Sequence, residues 1–505
     1  MWRRLLLLGR LLGLLPGLAL GGLGFGGLTH AAEAPRLELT ATPAWKGWTR
    51  PGRATELEIR LTSDAATRAT LDVVAGGQSL RSELELQPGR ALRLHLPVAS
   101  AESIAVSAVS AELPGGPPQR REIALAKSES PLLGVGLATG EPVQLEGFHT
   151  LALASDDLPR NASAYSSIDA LILDAPTLGA LDPRQLGALL AHAAGCGRIV
   201  VLNTDARVRG LLAGAGACGG RSTMSAGSLA QAREMLQASL GASLPAAMPP
   251  GSLGELAQPG HRVWNRVAVG LAVYFAMAAL VVVFFASLPV LLLTPALAAV
   301  AALALLHTME PPSQLVVWSE GESGARVARY QAWQQFPGVV GERKRVPIPP
   351  QLASWVQPCG PSQAMHFDFD ASNGRMAFAE FDTRLFRQVS LCYSGSFPVA
   401  RAIALAPRGD GQREVRNEGA RAWPEGVLLA GGLVHELPAL GPGAHTTLAA
   451  QTAQAGRPPR GVVERMAMTR TPAGGVAALW SLDLLGVADA SVDSRGWLLV
   501  SVPSP

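Results

Sequence analysis

Few residues in this 505-residue chain are spaced for chemistry. His435-Glu436-Leu437-Pro438-Ala439 begins like a zinc-protease helix, in which two histidines one turn apart hold the metal and the glutamate acts as base. Position 439 is Ala where the second His must fall, and Pro438 opposes the helix. Gly321-Glu322-Ser323-Gly324-Ala325 starts like a nucleophile elbow but fails at its last position. No Walker loop occurs, so nothing indicates that the chain hydrolyses ATP itself. Asp156, Asp157 and Asp174 fall near the ends of expected strands, where doubly wound folds place their ligands. Asp156 and Asp174 are therefore the candidate ligand or cation site; the plainer expectation is solvated loop carboxylates. His192 is expected at a helix end or on the surface. Glu320 and Glu322 are expected on an exposed face, and Arg343-Lys344-Arg345 in a solvated loop, with contact to lipid headgroups as the alternative. No residue is assigned to catalysis, to a cofactor or to a metal.

Three soluble parts would have to position these groups. Residues 35–128 alternate apolar and polar side chains in short runs such as Leu57-Glu58-Ile59-Arg60-Leu61 and Leu92-Arg93-Leu94-His95-Leu96. Period two with one buried face marks an antiparallel sheet. Turn signals at Arg50-Pro51-Gly52, Gly76-Gly77 and Gln87-Pro88-Gly89 separate the runs, and about seven runs suggest an immunoglobulin-like sandwich. Trp45 and Trp48 are expected to plug one end of it, with stacking on a sugar or a partner as the alternative. Residues 131–250 change period. Leu132–Leu137, Thr150–Ala154, Asp169–Asp174 and Arg198–Asn203 read as buried strands. Asp182-Pro183-Arg184-Gln185 carries the signals of a capped helix start, and Gly195-Cys196-Gly197 ends that helix. Strand, helix, strand with continuous apolar strands predicts a doubly wound α/β sheet. Residues 312–505 read as one or two further β-rich units.

Composition restricts location and class. Length predicts about three domains. Charged residues make up 16% and hydrophobic residues 48%, too apolar for a disordered chain. The formal net charge of +3 is a small excess and gives no support to nucleic-acid binding. Residues 1–31 carry a positive start, a Leu/Gly-rich middle and a small-residue exit, the parts of a secretory signal peptide, with an uncleaved anchor as the alternative. From Val267 to Leu306 no residue is charged. A crossing needs about 20 residues, so 267–306 predicts two transmembrane helices broken at Ser287-Leu288-Pro289; one long tilted helix is the alternative. The expected location is a bacterial inner membrane, with all soluble domains in the periplasm of a Gram-negative-type cell.

The order of these parts resembles a family of uncharacterised bacterial membrane proteins that join an Ig-like domain to a class I glutamine amidotransferase-like domain, membrane helices and a β-rich tail. The resemblance rests on Lys46-Gly47-Trp48-Thr49-Arg50-Pro51-Gly52 with the run Glu56–Leu61, on Asp169–Asp174, and on Leu181-Asp182-Pro183-Arg184-Gln185 through Gly195-Cys196-Gly197-Arg198. Family members usually carry a Gly-Gly pair where this chain has Gly195-Cys196-Gly197. The resemblance implies an accessory role beside other envelope proteins, such as a MoxR-type ATPase or a transport system.

An active amidotransferase needs a cysteine on a tight strand-to-helix turn, where the helix N-terminus lowers the thiol pKa and backbone amides stabilise the oxyanion. Cys196 follows a helix and precedes a strand, the reverse order. Cys218 has no clear strand before it, and no downstream His-x-Glu pair completes a triad. An even cysteine count in an exported protein favours disulfides instead. Cys196–Cys218 and Cys359–Cys392 are the expected pairs, although four cysteines allow three connectivities. The functional expectation is a membrane-anchored periplasmic binding or scaffolding protein without catalysis or cofactor. A periplasmic hydrolase or amidase, and a transport-system subunit, are the alternatives.

Overall fold

The computed structural model describes residues 35–111, 118–140, 143–204, 223–241, 250–256, single positions between 272 and 280, 313–323, 327–336, 343–352, 355–359, 365–383, 389–399, 403–407, 413–448, 456–471, 475–481 and 492–502. Strands account for 54% of the described chain and helices for 19%.

Alternation builds the first unit. On Ala54–Ser63, Leu57, Ile59 and Leu61 are fully buried while Arg60 between them is exposed. This strand lies between Leu37–Pro43 and Leu92–Ala99 in a three-stranded antiparallel sheet. The sheet that faces it contains Gln78–Leu86, Thr67–Ala75, Ser103–Ser110 and Gln119–Ala124, and it continues past them. Met365–Asp370 pairs in parallel with Gln78–Leu86, followed by Arg375–Asp382 and Arg343–Pro347. One core therefore holds Leu57, Leu71 and Ile104 together with Phe367, Phe381 and Leu391.

The second unit is a five-stranded, wholly parallel sheet: Leu132–Gly136, His149–Ala152, Ala170–Asp174, Arg198–Leu202 and Thr223–Ala226. The first of these strands lies between the second and the third in space. One face packs on Trp45, Tyr165 and Leu189; the other packs on Ala232 and Leu236 of the helix Leu229–Gly241. The helix Pro183–Ala194 starts as its residues dictate. Asp182 accepts hydrogen bonds from the amides of Arg184 (2.8 Å) and Gln185 (2.9 Å), and Gln185 Oε1 accepts one from the Asp182 amide (3.1 Å).

The third unit is an eight-stranded mixed sheet. Its centre is Val327–Phe336, Ser313–Glu322, Val492–Val502 and Val476–Ser481, with Ser313–Glu322 and Val492–Val502 parallel. Both faces of Ser313–Glu322 are covered. Leu315 and Val317 join the sandwich core, whereas Val316 and Trp318 pack with residues of the helices Pro250–Leu256 and Val462–Arg470. Cys359 and Cys392 are bonded, with Cα atoms 5.3 Å apart.

Several expectations are corrected. The expected fold class, an Ig-like sandwich, a doubly wound amidotransferase-like domain, a transmembrane hairpin and a separate β-rich tail, does not describe this chain, which is mostly strand. In the parallel-sheet unit, the described parts of the connections flanking His149–Ala152 contain no α-helix, only the 3-10 turns Ser155–Asp157 and Ala162–Ser167. Apolar runs report that a strand is buried on both faces, but not what buries it. The sandwich is not self-contained either, because period two specifies a buried face and leaves the neighbouring strand open.

No helix among the described residues is long and apolar enough to cross a membrane. The transmembrane-helix reading is thereby unsupported, and with it the inner-membrane anchor and the periplasmic placement built on it. An uncharged stretch implies a span only when it forms one unbroken helix of about 20 residues. Apart from the single positions between 272 and 280, the proposed hairpin at 267–306 lies outside the described residues, as does the signal segment 1–31. Arg343-Lys344-Arg345 is an edge strand rather than a loop: Arg343 pairs with Glu380, and Arg345 pairs with Asp368 (2.6 Å) while its guanidinium sits 4.4 Å from the centre of the Phe378 ring.

Candidate functional site

The three units meet at a cleft of about 720 Å³, within the size range of small-molecule sites. The sandwich contributes the turn at Gly52 and Arg53. The parallel-sheet unit contributes Ser163, Tyr165, Asp169, His192 and the Gly195–Arg198 bend. The eight-stranded sheet contributes Trp318, Glu320, Arg329, Tyr330 and Tyr393.

Two carboxylates in the cleft are each clamped by two arginines. Asp169 precedes the strand Ala170–Asp174. Its Oδ1 lies 3.2 Å from Arg53 Nη1, and its Oδ2 lies 3.4 Å from Arg50 Nε and accepts the Leu132 amide at 2.8 Å. Arg53 also donates to the Ser166 carbonyl at 2.8 Å, so the sandwich turn is fastened to the parallel sheet. Glu320 accepts from Arg470 Nε (2.6 Å) and Nη2 (2.9 Å), from Trp318 Nε1 (2.9 Å) and from Arg329. Burial works against its charge, but the hydrogen bonds and charges of Arg470 and Arg329 prevail and hold its carboxyl below the usual range. Only 12% of its side chain is exposed, which corrects the expected exposed face. A signal for this was present: period two puts Glu320 on the same face as Val316 and Trp318.

On the parallel-sheet side, three polar atoms are buried without a partner: His192 Nε2, Arg198 Nε and Ser163 Oγ. His192 sits on the last turn of Pro183–Ala194, its ring 5.2 Å from that of Tyr165 and stacked on it. Its edge lies against Gly197, where a Cβ would collide with the imidazole, so only glycine fits that position. Burial first, and then the charge of Arg53, lower the His192 pKa to about 4 and leave the ring neutral at pH 7. Arg198 opens the next strand, and its Nη2 donates to the Ser239 carbonyl at 3.1 Å. Burial opposes its charge, Asp169 offsets part of this, and Arg53 adds to it.

A second network joins the sandwich to the parallel sheet nearby. Glu56, 5% exposed at its side chain, accepts from the amides of Arg160 (3.0 Å) and Asn161 (2.7 Å), from Asn161 Nδ2 (2.9 Å) and from His95 Nδ1 (2.9 Å). Arg160 donates to His95 Nε2 and to Asp182 (2.7 Å). Because a guanidinium only donates, it fixes the tautomer: His95 carries its proton on Nδ1.

The sequence candidates fall elsewhere. Asp174 caps the helix Ala175–Gly179, accepting the Thr177 amide (2.9 Å) on one oxygen and the Ala138 amide (2.7 Å) on the other. Burial opposes its charge, yet these hydrogen bonds lower its pKa. Asp156 lies in a 3-10 turn, and neither aspartate lines the cleft. Cys196 lines the cleft but is in a disulfide and offers no thiol; its expected partner, Cys218, lies outside the described residues. His435 and Glu436 lie on the strand Leu433–Leu437, not on a helix. Among the described residues, no three His, Cys, Asp or Glu side chains converge to hold a metal. Trp45 does not plug the sandwich. Its backbone φ of 54° turns it away into the parallel-sheet core, where it is 1% exposed and its Nε1 donates to the Ala164 carbonyl at 2.9 Å. Trp48 packs against His149, ring centres 3.9 Å apart and planes tilted by 41°. Sequence reading missed Glu56, His95, Arg53, Asp169 and Arg198, whose partners are all distant in the chain.

No known family profile and no curated protein matches the chain. Among solved structures it is similar to the yeast delta-COP-I mu-homology domain complexed with a Dsl1 WxWxV peptide, at 6% identity over 38% of this chain and 94% of that chain, with a TM-score of 0.19. A likeness that shallow assigns neither fold nor ligand.

Proposed function

We propose that this chain is a binding protein that holds a ligand in the cleft between its three units and performs no chemistry of its own. The observation that carries the reading is the cleft itself, about 720 Å³ and walled by residues from all three units, within the size range of small-molecule sites. The rest of the cleft supports binding over catalysis. Both carboxylates are held by arginine pairs, the cysteine is oxidised, and a histidine with a pKa of about 4 is a weak base at neutral pH. The accessory role beside other proteins rests on the sequence resemblance alone.

The test is a thermal-shift screen of a mixed small-molecule library against the full chain, with Ser163→Trp as the variant that fills the cleft. Ligands that raise the wild-type Tm and fail to raise that of the folded variant are expected. Turnover of a compound that docks in the cleft would replace the binding reading with an enzymatic one. Ligands that stabilise wild type and variant equally would move the site elsewhere.

A further inference from the structure

We infer that the cleft takes an extended peptide segment of a partner protein, which pairs by its backbone with the open half of the strand Val389–Pro398. This rests on the cleft being the ligand site. The strand is ten residues long and pairs along its whole length with Val327–Phe336. On its other edge Val356–Pro358 pairs only with Leu391, Cys392 and Tyr393. Two bonds flank that pairing, from the Cys359 amide to the Ser390 carbonyl (3.0 Å) and from the Ser394 amide to the Trp355 carbonyl (3.1 Å). Successive residues of a strand turn their backbone groups to opposite edges. Ser390, Cys392 and Ser394 therefore face Val356–Pro358, and Ser396 is the next to face that way. Among the described residues no strand continues the pairing there, so the Ser396 N–H and C=O are open to a partner.

The open edge lies in the cleft: Ser394, Gly395 and Ser396 all line it, and all are half-buried rather than covered. An unpaired strand edge is a template for another strand, and an extended peptide that adds to it gains affinity from main-chain hydrogen bonds. The side chains permit the approach. Glycine within a strand marks places where another backbone comes close, and the serines on either side of Gly395 add little bulk. The wall from the parallel-sheet unit also presents small residues to the cleft, Ala162, Ala191 and Gly195. The charge nearest the edge is already matched, because Arg329, opposite Ser396 in register, is paired with Glu320. Recognition is thus by backbone, and the segment needs no charged side chain at the edge.

Panning a phage-displayed library of linear heptapeptides on the full chain, then fluorescence anisotropy with the selected peptides made synthetically, tests this. Methylating the peptide nitrogens one at a time should abolish binding at alternate positions only, because an added strand bonds to the edge through every second residue. Ser396→Pro removes the outward N–H and keeps the bonds to Val327–Phe336, which the neighbouring residues make. It should weaken the peptides about tenfold. The methylation scan uses the wild type and decides alone if that variant does not fold. Arg68→Met, at an exposed pair outside the cleft, should change nothing. If peptides bind and Ser163→Trp abolishes binding, but methylation shows no alternation and Ser396→Pro has no effect, the cleft is the site and strand pairing is wrong. If neither Ser396→Pro nor Ser163→Trp matters, the peptides bind elsewhere and the inference falls. If no heptapeptide binds the folded wild type at millimolar concentration, the inference falls, and the cleft is judged by the small-molecule screen.

Discussion

His192 should make this fold lose stability in mild acid. Its ring stacks on Tyr165, abuts Gly197 and faces the charge of Arg53, and its pKa falls from 6.5 to about 4. Between those values the unfolded chain binds a proton that the folded chain refuses. Stability therefore rises with pH through this window, and is lost as pH falls from about 6.5 towards 4. The linkage relation puts the cost at about 0.2 kcal/mol at pH 7, about 2 kcal/mol at pH 5 and about 3 kcal/mol at full protonation of the unfolded histidine. His192→Phe keeps an aromatic ring on Tyr165 and removes the titration. Urea unfolding of wild type and variant at pH 7 and pH 5 should show the wild type losing about 2 kcal/mol more than the variant, because shared losses from other groups cancel in the difference. A ring-proton titration should place the midpoint near pH 4. Equal losses in the two proteins, or a midpoint near 6.5, would show that the ring is solvated and that the cleft wall is not as described.

Three further perturbations test how the units are joined. Trp45→Ala removes a fully buried ring and its bond to Ala164, and should cost about 3–5 kcal/mol, with hydrogen exchange accelerating first at Ala170–Asp174 rather than in the sandwich. Glu56→Ala strands the amides of Arg160 and Asn161 and the His95 proton. A loss of about 3 kcal/mol is expected, and a double-mutant cycle with His95→Ala should return a coupling above about 0.5 kcal/mol; strict additivity would mean that the network is not formed. Replacing Cys359 and Cys392 by Ser opens a bridge across a separation of 33 residues, which by loop entropy should lower stability by about 3–4 kcal/mol. A Tm unchanged by that double substitution would show that the bridge is not closed in solution.

Local signals were legible in the sequence where the cause is local. The box at Asp182 and Gln185, the glycine-rich stop at Gly195, and the alternation at Leu57, Ile59 and Leu61 each depend on residues within a turn or a strand, and the structure shows each of them. The joins were not legible. Nothing near Gln78 announces that Met365 will lie beside it, because hydrogen bonding between strands is made by backbone and carries no side-chain code. Trp45 was misplaced for a related reason: the 3-10 turn at Trp45–Gly47, with φ positive at all three residues, reverses the direction that alternation would give it. The cleft was missed because its residues come from five or more segments, and each alone has an ordinary reading as an exposed arginine, a helix-end histidine or a surface glutamate. The uncharged run at 267–306 predicts a span by hydropathy alone; it lies almost wholly outside the described residues, among which no helix is long and apolar enough to cross a membrane.

Three carboxylates each tie together elements that are distant in the chain. Glu56 joins a sandwich strand to the Arg160–Asn161 loop, Asp169 joins the parallel sheet to the Arg50–Arg53 turn, and Glu320 joins two strands of the eight-stranded sheet to the helix Val462–Arg470. Apolar contact is non-directional and would hold the units together at many relative angles. Charge-assisted hydrogen bonds are directional, and burying a carboxylate is unfavourable unless all its partners are in place. The cost of misplacing one unit by a few ångströms is therefore the exposure of a desolvated, half-paired charge. Glu56 and Asp169 in this way fix the sandwich against the parallel sheet on one side of the cleft, so these walls need not move to receive a ligand, and the affinity lost elsewhere to reorganisation is retained.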